Sequence, residues 1–229
     1  MKQIYLLAFS FFLLSTVGFA QKKKIDLNQL IRETQVNMTQ GKNVALAWWM
    51  PQEFWEFSFR SNEAITESQI EEMMGYVRPY NVFVVLKGEI GPLGNLTNTV
   101  SPEEMAESMV LKNMVDGSEY KVLGEGEFDA NLQTFLSMMK PMFKNMLGKL
   151  GENMNFYVFQ GLEGDGSRVM DPTRKGKFRM AFMGKKAHWE FPLATFSAPK
   201  ECPVDKKEMN GTWNYCPWHG KKLEEIAVQ

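Results

Sequence analysis

Little in this 229-residue chain is equipped for chemistry. It contains two histidines and two cysteines. It has no Gly-x-Ser-x-Gly elbow and no His-Glu-x-x-His pair, so the common serine-hydrolase and zinc-protease signatures are absent. The shortage of motifs weighs against an enzyme, although a hydrolase whose carboxylates only the fold brings together would leave no trace in a sequence. Charge of one sign is also lacking. Lys and Arg number 26 against 27 Asp and Glu, for a formal net charge of −1. A nucleic-acid binder needs a basic face to neutralise phosphate, and that balance argues against one. No stretch reaches the ~20 consecutive apolar residues that a bilayer-spanning helix requires.

The longest apolar run lies at the beginning. Lys2 precedes Ile4–Leu14, which is interrupted only by Ser10, and Gly18-Phe19-Ala20 presents small residues at the two positions a signal peptidase reads. Residues 1–20 are therefore expected to be a cleavable signal peptide, with the mature chain starting at Gln21. No cysteine follows the run, so a lipid anchor there is not expected. This places the protein in the periplasm or in the secreted fraction, where two cysteines are expected to pair.

With 44% hydrophobic residues, including 6 Trp and 17 Phe, the remainder has ample material for a core. Residues 21–199 read as a single domain, and Pro192–Pro199 as a stiff connection to a distinct tail at 200–229. Within the domain, Leu27, Leu30, Ile31 and Met38 are spaced for a helix over 26–40. Val44–Trp49 and Val82–Leu86 read as buried strands. Thr66 and Gln69 form a capping box, and Ser101-Pro102-Glu103-Glu104 opens another helix. Segment 51–60 is ambiguous. Pro51 and Glu53 suit a helix start, whereas Trp55–Arg60 alternates as a strand does. Asp116-Gly117 marks a hairpin between 109–115 and 120–123. The clearest helix runs from Ala130 to Leu150, with Leu132, Phe135, Leu136, Met139, Met142, Phe143, Met146 and Leu150 on one stripe. Strands over 154–159, 177–183 and 189–191 complete the pattern. Adjacent strands joined by short turns and interrupted by helices predict an α+β fold with a largely antiparallel sheet and a few packed helices.

Two clusters carry bland and sharp readings side by side. Met138, Met139, Met142 and Met146 are thioethers on one helix, and soft thioethers suit Cu(I). Methionine more commonly fills core space, and no His or Cys adjoins these four. Trp48, Trp49, Trp55 and Phe57 belong to the densest aromatic stretch, 48–59. Core packing is the ordinary explanation, but this stretch is also the best available ligand or partner surface. The glycine-rich segment 88–94 lacks the spacing of a nucleotide loop, and Asp165–Asp171 lacks the ligand alternation of a calcium loop.

The tail is more specific. It reads Cys202-Pro203-Val204-Asp205-Lys206, and later Cys216-Pro217-Trp218-His219-Gly220-Lys221-Lys222-Leu223. Residues 202–223 resemble a degenerate zinc ribbon, whose knuckles read Cys-Pro-x-Cys-Gly-x-x-Leu. His219 stands where the second knuckle has its second cysteine, and Asp205 where the first has its own. The resemblance implies a four-ligand zinc site of Cys202, Asp205, Cys216 and His219, since Asp and His both bind zinc. It equally brings Cys202 and Cys216 within reach of a disulfide in an oxidising compartment, and that bond is the preferred expectation. The leading functional expectation is a non-enzymatic exported protein that binds a ligand or an envelope partner. The alternative is a zinc-binding protein that works through its tail.

Overall fold

The structure is a computed structural model that describes residues 25–226. The expected leader at 1–20 lies outside the described residues. Among these, no helix is long and apolar enough to cross a membrane.

Helix α1 (Leu27–Thr34) starts on Asp26, whose carboxylate accepts from the Asn28 and Gln29 amides. It stops well before residue 40, because Gln35–Asn37 leaves the helix to form β1 along the edge of β2 (Asn43–Met50). Segment 51–60 resolves as a helix, α2 (Gln52–Arg60), which directs Phe54, Trp55 and Phe59 inward. Glu53 lies in its first turn and Arg60 in its last, as the helix dipole favours. The capping box at Thr66 forms as expected and opens α3 (Glu67–Val77).

The long strand β3 (Tyr80–Ile90) is the centre of the main sheet. One of its edges pairs with β2 from Val82 to Glu89. The other edge is shared, with β4 (Leu96–Thr97) at one end and β7 (Asn155–Gln160) at the other. Helix α4 (Pro102–Ser108) is capped by Ser101 and leads into a second sheet, β6-β5-β8-β9. Its strands are β5 (Val110–Asn113), β6 (Glu119–Tyr120), β8 (Gly176–Phe182) and β9 (Lys185–Phe191). All pairings are antiparallel. Between β6 and β7 the chain forms α5 (Ala130–Leu147) and, after Gly148, the short α6 (Lys149–Glu152). The α+β expectation holds.

The packing is three layers deep, and it explains the sequence patterns. Neighbouring residues of a strand point to opposite faces. Trp48 therefore meets Phe54 of α2 and Phe143 of α5, at ring distances of 5.1 and 6.3 Å. Trp49 meets Phe191 of the second sheet at 5.2 Å. The main sheet is covered by helices on one face and by the second sheet on the other. Its central strands are accordingly apolar without alternation, and Val82–Leu86 is fully buried. Strand β9 has one face in solvent, and its burial alternates. The turn between β8 and β9 places Met183 and Gly184 at φ +44° and +75°, the left-handed pair that a two-residue hairpin needs.

Two expectations require correction. Of the two readings of segment 48–59, core packing holds and the ligand or partner surface does not: Trp48, Trp49 and Trp55 are at most 9% exposed, and Phe57 is half-buried. Both faces of β2 are covered, and α2 turns Trp55 inward, so no side of these indoles is left free. The apolar stripe of α5 is also only partly buried. Leu132 and Leu136 are buried and Phe135, Met139 and Phe143 pack against the core, whereas Met138 and Met142 are 62% and 56% exposed and Leu150 is also exposed. The apolar arc is wider than the strip of sheet that covers it. The side chain of Met146 lies outside the described part of the helix.

Candidate metal centre

After the 3-10 turn at Ala194–Phe196 the chain forms a separate small unit. Strand β10 (Lys200–Glu201) pairs with both β11 (Glu208–Met209) and β12 (Glu224–Glu225). Its interior is Cys202, Met209, Cys216 and Leu223, a cluster distinct from the main core. So small an apolar centre contributes little burial, and units of this size ordinarily need a covalent or metal staple.

Two knuckles project from this sheet, and their backbones repeat one another. In the first, the Cys202 amide donates to Lys207 O at 2.9 Å and the Lys206 amide donates to Cys202 O at 2.8 Å. In the second, the Cys216 amide donates to Lys221 O and the Gly220 amide to Cys216 O, both at 2.8 Å. Gly220 has φ +62° and Lys206 has φ +57°. Lysine in that conformation costs roughly 1–2 kcal/mol relative to the right-handed form. Its ammonium lies 2.9 Å from Glu201 and 3.4 Å from Glu224, contacts that help to hold it there. Asp205 and His219 thus occupy equivalent places in two equivalent turns.

The knuckles bring Cys202, Cys216 and His219 together, with one ligand atom from each within 4.8 Å of the others. His219 Nδ1 lies 3.3 Å from Cys202 Sγ and 3.5 Å from Cys216 Sγ. In a tetrahedral zinc site, Zn–S of about 2.3 Å and Zn–N of about 2.0–2.1 Å put sulfur and nitrogen about 3.6 Å apart. The observed spacing fits that geometry. Both sulfurs are buried and the imidazole is exposed, so the apolar side of the site is closed and the histidine side is open.

The expected disulfide is not formed; both cysteines are free thiols. The imidazole lies against both sulfurs, where a metal-binding arrangement would place it. Asp205, the fourth expected ligand, is outside the three-residue group. Its Oδ1 accepts from the Lys207 amide at 3.3 Å and its Oδ2 lies 3.7 Å from the Lys207 ammonium. Desolvation works to raise its pKa, but the Lys207 amide and the Cys202 thiol outweigh that and hold it below the ordinary carboxylate range. The thiols are driven apart. Desolvation raises Cys202, whereas at Cys216 the amides of His219 and Trp218, with the neighbouring thiol and imidazole, overcome desolvation and lower it. One thiol of the pair is therefore biased towards thiolate, the form that binds a metal.

The sequence named all three members of this group. The ties of Asp205 to Lys207 and to the Cys202 thiol were not legible in it, because they depend on how the knuckle turn sets the carboxylate. Comparison of the chain with protein-family models, with curated proteins and with solved structures finds no match.

Proposed function

We propose that the C-terminal unit is a zinc-binding module in an exported protein, with Cys202, Cys216 and His219 as ligands and Asp205 as the nearest candidate for the fourth position. The convergence of an imidazole on two free buried thiols, at tetrahedral spacing, carries this reading. The role is structural. Four ligand positions drawn from two turns would fasten a three-stranded unit whose own core is four residues. Zinc needs both thiolates, so metal and disulfide formation exclude one another at this site. Ligand or partner binding at segment 48–59 loses its basis, since that segment is core.

The test is to purify the full mature chain under reducing conditions and measure bound zinc and reactive thiols together. The expected result is one zinc per chain, two thiols that react only after a chelator is added, and loss of zinc in His219→Ala. A Cys202–Cys216 disulfide in protein isolated without reductant but with zinc present would overturn the proposal, as would zinc retention in Cys216→Ser. Asp205→Ala separates the fourth position: tight zinc binding in that variant assigns it to water.

A further inference from the structure

The main domain has a groove of about 650 Å³ that follows one edge of a strand. Its floor is four consecutive residues of β7, Asn155, Phe156, Tyr157 and Val158. Helix α4 forms one wall with Pro102, Glu103 and Ala106, and α5 forms the other with Leu136, Ser137 and Lys140. The segment through Val122–Glu125 closes one end.

The pairing of β7 fixes where its backbone groups point. β7 bonds to β3 on one side only. In an antiparallel ladder, residues that bond to the partner strand alternate with residues whose N–H and C=O face away. The Gly161 amide donates to Pro79 O across this ladder at 2.8 Å, which sets the odd-numbered residues towards β3. The Leu123 amide donates to Val158 O from the opposite side at 2.8 Å, which sets the even-numbered residues outward. Phe156 therefore presents both its N–H and its C=O to the groove, and Val158 presents its N–H. None of these three groups has a hydrogen-bond partner among the described residues. Val122–Gly124 covers the far end of the edge and leaves the stretch at Phe156 open.

The side chains add a polarity. Lys140 Nζ donates to Asn155 Oδ1 at 2.8 Å, which puts a cation at the Asn155 end. Glu125 lines the groove two residues beyond Leu123, whose amide is bonded to Val158 O. Glu103 faces Tyr157: burial first, and this carboxylate second, push the phenol above its ordinary pKa. Lys140, Glu103 and Glu125 have no ion-pair partner among the described residues. Tyr157 is 4% exposed, and its hydroxyl makes no hydrogen bond to any described residue.

Exposed strand edges in native proteins are ordinarily covered, charged or kept short. This one is walled by two helices, lined largely by apolar side chains and charged oppositely at its two ends. We infer that the groove between α4 and α5 receives an extended peptide segment of a partner protein, which adds as a further strand beside β7. The segment is apolar in its middle, acidic where it meets Lys140 and basic where it meets Glu103 and Glu125. Its central residue exchanges both backbone bonds with Phe156, and alternate side chains fall on the Leu136 and Tyr157 sides of the strand. The reading is independent of the zinc module.

Two heptapeptides, acetylated and amidated, test it on the full mature chain: Ser-Lys-Val-Thr-Val-Glu-Ser and its charge-reversed order Ser-Glu-Val-Thr-Val-Lys-Ser. The added strand has a single direction relative to β7, so one order should bind at least about tenfold more tightly than the other. N-methylation of the central Thr should weaken it roughly fivefold, the factor that corresponds to one lost hydrogen bond. Bound peptide should slow hydrogen exchange at the Phe156 amide. Lys140→Glu, checked for unchanged melting, should reduce or invert the preference between the two orders. The inference fails if neither peptide binds at about 1 mM, or if binding is indifferent to N-methylation and charge order. It fails equally if 1-anilinonaphthalene-8-sulfonate occupies the groove while both peptides leave the Phe156 amide unprotected, which would make the groove a small-molecule pocket.

Discussion

The buried indoles show how single residues specify this core. A tryptophan in an interior must find an acceptor for its N–H. Trp48 donates to the Thr34 hydroxyl at 3.2 Å, Trp49 to Asn81 Oδ1 at 3.1 Å, Trp55 to Met50 O at 3.0 Å and Trp189 to Thr34 O at 2.8 Å. Thr34 and Asn81 are two of the few buried polar residues, and they are buried because the indoles use them. The Asn81 amide passes the chain on to Gln160 O of β7 at 3.1 Å. Burial also separates residues that periodicity treats alike. Leu132 and Met142 lie on one expected stripe of α5, yet Leu132 is fully buried and Met142 is 56% exposed. Leu132→Ala should therefore cost about 2–5 kcal/mol, and Met142→Ala within about 0.5 kcal/mol of nothing. Denaturant unfolding of both variants checks this, and equal losses would contradict the packing described for α5.

At the scale of elements, local signals succeeded where capping chemistry was strong. Thr66 accepts from the Gln69 amide while Gln69 Oε1 accepts from the Thr66 amide at 2.9 Å, so both orphan donors are satisfied reciprocally. Thr66→Ala should cost about 0.5–2 kcal/mol, and Thr66→Ser far less. A matching drop in thermal midpoint for both variants would show that the hydroxyl is not the cause. Segment 51–60 shows the competition between periods. Its alternation suits a strand, but as a helix it delivers Phe54, Trp55 and Phe59 to one layer. Helix α1 shows the reverse, since Met38 continues the helical spacing of Leu27, Leu30 and Ile31 and yet lies beyond β1, with its amide bonded to Ala45 O. The tail knuckles were the most legible elements of all, because a tight turn depends on few residues and each was visible at its position.

Across the whole molecule, one ion pair links distant parts of the chain. Arg168 donates to Glu53 through both terminal nitrogens, at 2.6 and 3.1 Å, and the two side chains are about 20% exposed. It fastens the hairpin bridged at Leu162 and Arg168 to the start of α2. Arg168→Ala should cost about 1–3 kcal/mol, since it strands a half-buried carboxylate. The double variant with Glu53→Ala should recover part of that loss. Strictly additive losses in the two single variants would mean that the pair does not act as a unit.

The sequence by itself determined the class of fold, the positions of most elements and the three residues that meet in the tail. Those depend on interactions a few residues long: caps, turns, periodicity and the Cys-Pro knuckle. Only the tertiary structure excluded segment 48–59 as a binding surface, because covering both faces of the main sheet removed its indoles from solvent. It also decided that two cysteines expected to bond are free and flanked by an imidazole, while Asp205 is held by Lys207. The open edge of β7 had no signature in the sequence at all. Whether a strand's outer backbone groups are paired is set by the position of every other strand, and no residue of β7 records it.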